Sequence, residues 1–433
     1  MSLQPYRDPN PSPWMIPTLG LINRHLVLPW VARLDAVDLP RTDLERLKAV
    51  VNPRTVAFLA PSHPEFMTDW MIDREIACRV SPGMVSWAAQ NIVNASPLAQ
   101  RFWRANGLIA NTPGGGGKAF SLRKALEGHG VLLHPEGGVS WQAEQVGPLH
   151  PGAVDMVMQL ADTLHNDERP VYIVPLVWRM AFVGDATMGL LAEMAHIERA
   201  CDLSPWPSSL PADRLASLLG SLLARRAHSL GLNRPRVDPL QPGHRYFDAQ
   251  AGVLAELRTR FTEQYGTIGD DTLHALRNIQ RGIRRRANSD PEGAARDQQL
   301  LLEFHRLSRL DESLYGRPHI THEQIAEILK STRQMLVTSG FWNTLHNLIP
   351  RGVARRVAHV RVPEPIDVKA LKAAGTNAAA MQSLLHQRLQ TAVDSLGTDL
   401  DASMRRFRMW NPMAVRNCYA SEVPQWRWNN RAS

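Results

Sequence analysis

The chain has 433 residues, 44% hydrophobic and 21% charged, a balance that excludes general disorder and leaves room for one large core or two modest ones. A formal charge of +8 and a pI near 9.7 favour anionic partners: membrane surfaces, nucleic acid, or phosphorylated and acidic carriers. Three cysteines (Cys78, Cys201, Cys418), odd in number and far apart, make no disulfide framework, and no Cys/His spacing suggests a metal site. A reducing, cytoplasmic setting is therefore expected.

Residues 1–48 form a first segment. Within it Trp14 to Ala32, WMIPTLGLINRHLVLPWVA, comes nearest to a membrane span, but Asn23, Arg24 and His25 interrupt it and Pro17 and Pro29 break it further. It falls short of the roughly 18 uninterrupted apolar residues a spanning helix requires. Two readings stay open: it lies in an anionic membrane interface with its tryptophans at headgroup depth, or it packs on the protein's own core.

Residues 49–205 alternate short apolar runs with stretches of helical spacing. Thr55–Pro61, Gly83–Ala89 and Pro170–Trp178 read as strands, Gly130–Gly138 as a strand running into a loop, and Thr68–Val80, Pro97–Asn106, Ala119–Glu127 and Pro151–Leu164 as helices. The pattern predicts an α/β fold, a mostly parallel sheet flanked by helices, with ligands at the carboxyl ends of its strands. After the proline-rich break Ser204–Pro211, a helical insertion over 206–345 is expected, with Thr321-His-Glu-Gln324 as a capping box. A late strand within Val357–Val368 and helices to residue 400 complete the core, and 401–433 is a tail with Trp410, Trp426 and Trp428 among arginines. The basic runs Arg277–Arg286 and Arg351–Arg361 read as solvated helix faces, and no basic–aromatic module for nucleic acid is present.

The chemistry gathers at two strand ends. His63 follows the first strand, and Asp69 opens the next helix; a histidine takes protons near neutral pH, and a carboxylate on its other nitrogen fixes the useful tautomer. His134-Pro-Glu-Gly-Gly138 ends the third strand, where Gly137 and Gly138 permit close approach of backbone amides to an anion. Glu136 either fixes this loop by accepting backbone hydrogen bonds or binds an acceptor hydroxyl. No set of three or four metal ligands appears.

In order and spacing these residues resemble the glycerolipid acyltransferase family, which includes glycerol-3-phosphate and lysophosphatidic acid acyltransferases. That family carries H-x-x-x-x-D after its first core strand, then F-P-E-G-[TS]-R-S and a later strand with Val-Pro; here the matching positions are His63 and Asp69, His134–Gly138, and Val174-Pro175. Pro148, Pro151 and Gly152 fit the stretch after the P-E-G motif, and Val360–Val368 is similar to the family's late strand. The likeness covers about residues 50–180 and 353–370. Three departures stand out. Five residues separate His63 from Asp69, with Thr68 at the expected aspartate position, so the extra residue has to be absorbed before the helix for Asp69 to reach. The arginine of the family's second motif is replaced by Asn111-Thr112, leaving Lys118 or Arg123 for a phosphate contact. Val139 stands where the P-E-G motif carries arginine.

The resemblance implies transfer of a fatty acyl group from acyl-CoA or acyl carrier protein to a hydroxyl of a glycerophospholipid precursor or related lipid, with no resident cofactor. His63 would be the general base, Asp69 its orienting carboxylate, and Glu136, Gly137, Gly138, Lys118 and Arg123 the substrate contacts. The protein is expected in the cytoplasm or peripherally on the membrane's cytoplasmic face. The alternative is a catalytically silent member of the same fold that binds lipid or acyl carrier protein.

Overall fold

A computed structural model describes residues 5–112, 115–233, 235, 245–266, 272–349, 351–403 and 406–414. In chain order its strands are β1 (Leu34–Asp38), β2 (Val56–Pro61), β3 (Val85–Ala89), β4 (Leu108–Asn111), β5 (Val131–Leu132), β6 (Val171–Phe182), β7 (His319–Thr321), β8 (Arg356–Arg361), β9 (Ile366–Asp367) and β10 (Arg408–Trp410). Two units emerge: Met1–Ala186 with Thr338–Arg406, and Thr187–Val337 with Phe407–Ser433.

The first unit is an α/β layer structure on a sheet of eight strands among the described residues, ordered β1-β8-β6-β2-β5-β3-β4 with β9 also on β6. From β6 to β4 every pairing is parallel; β8 and β9 run antiparallel to β6, and β1 is parallel to β8. Both faces are buried, so β2 is apolar at every position rather than alternating. Val56, Phe58 and Ala60 face one core with the helices Gly152–Thr163 and Ala378–Ala402, while Ala57 and Leu59 face another with Thr68–Val80. Full burial of a side chain such as Phe58 stabilises the fold by about 1.5–3 kcal/mol.

The long β6 matters most for function. Its first half pairs with β2 as far as Pro61↔Leu176, and its second half with β8 from Val177↔Arg361 onward. Trp178 therefore stands just past the carboxyl end of β2, above the segment that holds His63.

Several expectations shift. Within Gly130–Gly138, expected as a strand running into a loop, the strand is Val131–Leu132, shorter than the apolar run, and the Pro-Glu-Gly-Gly run is the loop. β1 and β4 are strands that the apolar runs did not announce, and β6 continues to Phe182. The helical unit begins at Thr187 and ends at Val337 instead of spanning 206–345, since Thr187–Ala200 belongs with the helices that follow. In that unit the capping box at Thr321 is present, and Arg408–Trp410 pairs antiparallel with β7, so this part of the expected tail is structured. Trp426 and Trp428 lie outside the described residues.

Pro17 and Pro29 do not break the N-terminal segment: Met15–Ile22 is α-helical and Asn23–Val31 a π-helix. One side packs on Thr68–Val80, where Asn23 Nδ2 donates to the Met71 carbonyl at 2.9 Å, Arg74 to that of Ile16 at 3.0 Å, and Arg24 to Glu75 at 2.9 Å. The other side stays apolar and exposed, with Trp14 at 68% and Trp30 at 78%. Among the described residues no helix is long and apolar enough to cross a membrane.

Candidate active site

At the carboxyl ends of β2 and β5 the chain folds two loops against each other. Pro64 restricts His63 to extended backbone and keeps the helix from starting there. The turn that follows absorbs the residue by which the spacing exceeds four. Met67 takes φ +62° and ψ −38°, and the Thr68 amide donates to the Phe66 carbonyl at 2.8 Å, a γ-turn with a non-glycine residue at its centre. The helix then starts at Thr68, and Asp69 stands in its first turn.

Asp69 Oδ2 lies 2.5 Å from His63 Nδ1. The same oxygen accepts the Glu65 amide at 3.0 Å, and Oδ1 accepts the Trp178 indole N–H at 3.2 Å. Three donors converge on one buried carboxyl, an arrangement suited to an ionised, acceptor-only group. It follows that Nδ1 of His63 carries hydrogen and Nε2, which has no protein partner among the described residues, is the basic nitrogen. Burial pushes Asp69 up to about 7, with the positive charge of His134 the main opposing influence.

The backbone of His63 is clamped from the second loop. Glu136 Oε1 accepts its N–H at 2.7 Å, and Ser140 donates to its carbonyl through N–H at 2.8 Å and Oγ at 3.2 Å. Glu136 Oε2 accepts the Gly147 amide at 2.8 Å. Both oxygens of Glu136 are thus taken by backbone, so the geometry gives it the loop-fixing place rather than one against a substrate. A Cβ at Gly147 would sit 2.8 Å from that carboxylate, and Gly137, at φ +67°, would press one to 2.3 Å from the His150 ring. On the helix side Arg356 of β8 donates to Glu65 at 2.8 Å and holds the turn before Thr68.

A second histidine–aspartate pair, which the motif pattern did not suggest, lies against the first. His134 Nε2 is 3.0 Å from Asp73 Oδ2, and its Nδ1 is 3.1 Å from the Ser62 carbonyl. The rings of His63 and His134 stack with centroids 4.1 Å apart and planes at 25°. Burial lowers the affinity of His134 for a proton, but the Asp73 carboxylate, helped by Asp69 and the Ser62 carbonyl, raises its pKa to about 9. Burial and the His134 charge hold His63 well below the ordinary histidine value, and burial pushes Asp73 and Glu136 up. The readable signal was the i, i+4 spacing of Asp69 and Asp73 on one helix.

A cavity of about 260 Å³ opens beside His63. Met67, Trp70, Trp87, Trp103 and Leu133 give it an apolar, aromatic lining, and Gly137, Gly138 and Val139 also line it. The amides of Gly138 and Val139 make no protein hydrogen bond among the described residues. Lys118 and Arg123 do not line it: Lys118 is exposed on the helix Gly116–Leu126, and Arg123 pairs with Asp8 at 2.6 Å. His63, Asp69, Gly137 and Gly138 are brought together, Glu136 supports them from behind, and the two cations stand apart. No family model matches the chain, and no curated protein matches it.

Proposed function

We propose that the protein transfers a fatty acyl group from a thioester, acyl-CoA or acyl carrier protein, to a hydroxyl of a glycerophospholipid precursor or related lipid, as a member of the glycerolipid acyltransferases. The observation that carries this reading is the 2.5 Å contact between His63 Nδ1 and Asp69, which leaves Nε2 as a base beside an apolar cavity. Nε2 takes the proton of the acceptor hydroxyl as its oxygen attacks the thioester carbonyl carbon. The C–S bond then breaks, and the departing thiolate receives that proton, giving ester and thiol. A positioned base contributes about 10²–10⁴-fold. The unpartnered amides of Gly138 and Val139 suit the carbonyl oxygen as charge develops on it. The apolar wall of Trp70, Trp87 and Trp103 suits an acyl chain.

No lysine or arginine lines the described cavity, so nothing there marks a phosphate-bearing acceptor over another hydroxyl lipid. The exposed Trp14 and Trp30 support a peripheral position on a membrane, and the net charge of +8 favours an anionic surface; its cytoplasmic face is the side we propose. Purified protein incubated with labelled acyl-CoA or acyl carrier protein and a panel of lysolipids should yield labelled lipid. Binding of lipid or carrier without turnover would instead identify a silent member of the fold.

A further inference from the structure

We propose that His134, held between the Ser62 carbonyl and the Asp73 carboxylate and stacked on His63, is a fixed cation that keeps positive charge off the His63 ring, so that a proton entering the His63–Asp69 pair comes to rest on Asp69. A carbonyl oxygen only accepts, so Nδ1 of His134, 3.1 Å from Ser62, carries hydrogen. One proton is shared between Nε2 and Asp73, 3.0 Å apart, and the combined pull of the Asp73 and Asp69 carboxylates, which raises His134 to about 9, places it on Nε2. A ring with hydrogen on both nitrogens is an imidazolium.

That charge is stacked 4.1 Å from the centroid of His63, in a site where the Glu65, Asp69, Asp73 and Glu136 carboxyl groups are buried and the His134 side chain is 11% exposed. A second imidazolium at this distance meets strong like-charge repulsion. The remaining charged groups facing the two rings are Asp69 and Asp73 from the helix Thr68–Val80, Glu65 from the turn before it, and Glu136 from the loop after β5. Arg356 of β8 is engaged with Glu65. Among them Asp69, 2.5 Å from Nδ1, is the group in line to receive a proton from His63.

The inference deepens the acyl-transfer reading and rests on it only for its consequence. As Nε2 gains the acceptor proton, the Nδ1 proton moves to Asp69 Oδ2, leaving His63 neutral. When the thiolate takes the proton from Nε2, the Asp69 proton returns to Nδ1, and the pair is restored. His134 is thus a positioning residue.

The test needs no substrate. Full-length protein with isotope-labelled histidine is titrated by NMR between about pH 5 and 9, with His63 and His134 assigned from His63→Ala and His134→Phe. The expected result is an imidazolium at His134 across the neutral range and no imidazolium at His63. In His134→Phe, which keeps a flat ring without charge, the proton affinity of His63 should rise about tenfold or more. Asp73→Asn should act in the same direction and serves if the first variant fails to fold. Infrared difference spectra should show a protonated carboxyl in the wild type at mildly acid pH that is lost in Asp69→Asn. An imidazolium at His63 near its ordinary pKa in the wild type, or the same His63 titration in wild type and variants, overturns the proposal. Absence of acyl transfer with this titration pattern intact would count against the acyltransferase reading alone.

Discussion

Glu136 holds His63 by its backbone, accepting the His63 N–H at 2.7 Å with one oxygen and the Gly147 N–H at 2.8 Å with the other. Each amide needs an acceptor, and glutamine offers only one. Glu136→Gln should therefore leave a buried donor facing an NH₂ group and destabilise the protein by about 1–3 kcal/mol. Thermal denaturation checks this, and a Tm unchanged from wild type would place Glu136 outside the loop's support.

Asp69 is under the same kind of constraint. His63 and Glu65 donate to one of its oxygens and Trp178 to the other, so the NH₂ of an asparagine opposes two donors in one orientation and one in the other. Asp69→Asn should lower kcat by about 10²–10⁴-fold, because the His63 tautomer is no longer fixed. Activity within a few-fold of wild type would remove Asp69 from the base's support.

The γ-turn at Met67 makes the five-residue spacing workable. A β-branched residue tolerates φ +62° poorly, whereas glycine accepts it. Met67→Val should cost about 1–3 kcal/mol of stability, and Met67→Gly should be the milder change. Equal Tm values for the two would argue against the turn as described.

His134 links stability to pH. Its folded-state pKa near 9 exceeds the unfolded value of about 6.5, so its contribution is fully present below pH 6.5 and is lost as pH rises through 9. Asp69, raised to about 7, acts in the same sense over a lower window, from about pH 4 to 7. The difference in Tm between wild type and His134→Phe should therefore shrink from pH 6.5 to above about 9. A difference that grows over that interval would contradict the assignment.

Much of this architecture was legible in the sequence, and the exceptions have physical causes. β2 reads as a strand because burial on both faces makes every residue from Val56 to Pro61 apolar or proline. β1 (LDAVD) and β4 (LIAN) are short, and β1 is exposed at three of its five positions, so neither produces a clear run. The reach of Asp69 to His63 followed from the helix start, but the device that permits it, positive φ at a methionine, leaves no mark in composition. The His134–Asp73 pair went unread because its members are 61 positions apart and meet only when β5 lies beside β2. Lys118 and Arg123 looked suitable by charge, but charge alone does not say which way a helix turns its side chains.

The apolar outer face of the N-terminal helices gives a separate expectation. The protein should bind anionic vesicles reversibly, more weakly in high salt, and replacing Trp14 and Trp30 by serine should reduce binding about tenfold or more. Equal sedimentation with neutral and anionic vesicles, or none with either, would count against membrane contact.

The most direct measurement is transfer of labelled acyl groups from acyl-CoA or acyl carrier protein to lysolipids, comparing wild type with His63→Ala while circular dichroism confirms that both are folded. Labelled lipid from the wild type and a loss of about 10²–10⁴-fold in the variant are expected. Undiminished transfer by His63→Ala, or no transfer by the wild type to any acceptor in the panel, would contradict the account.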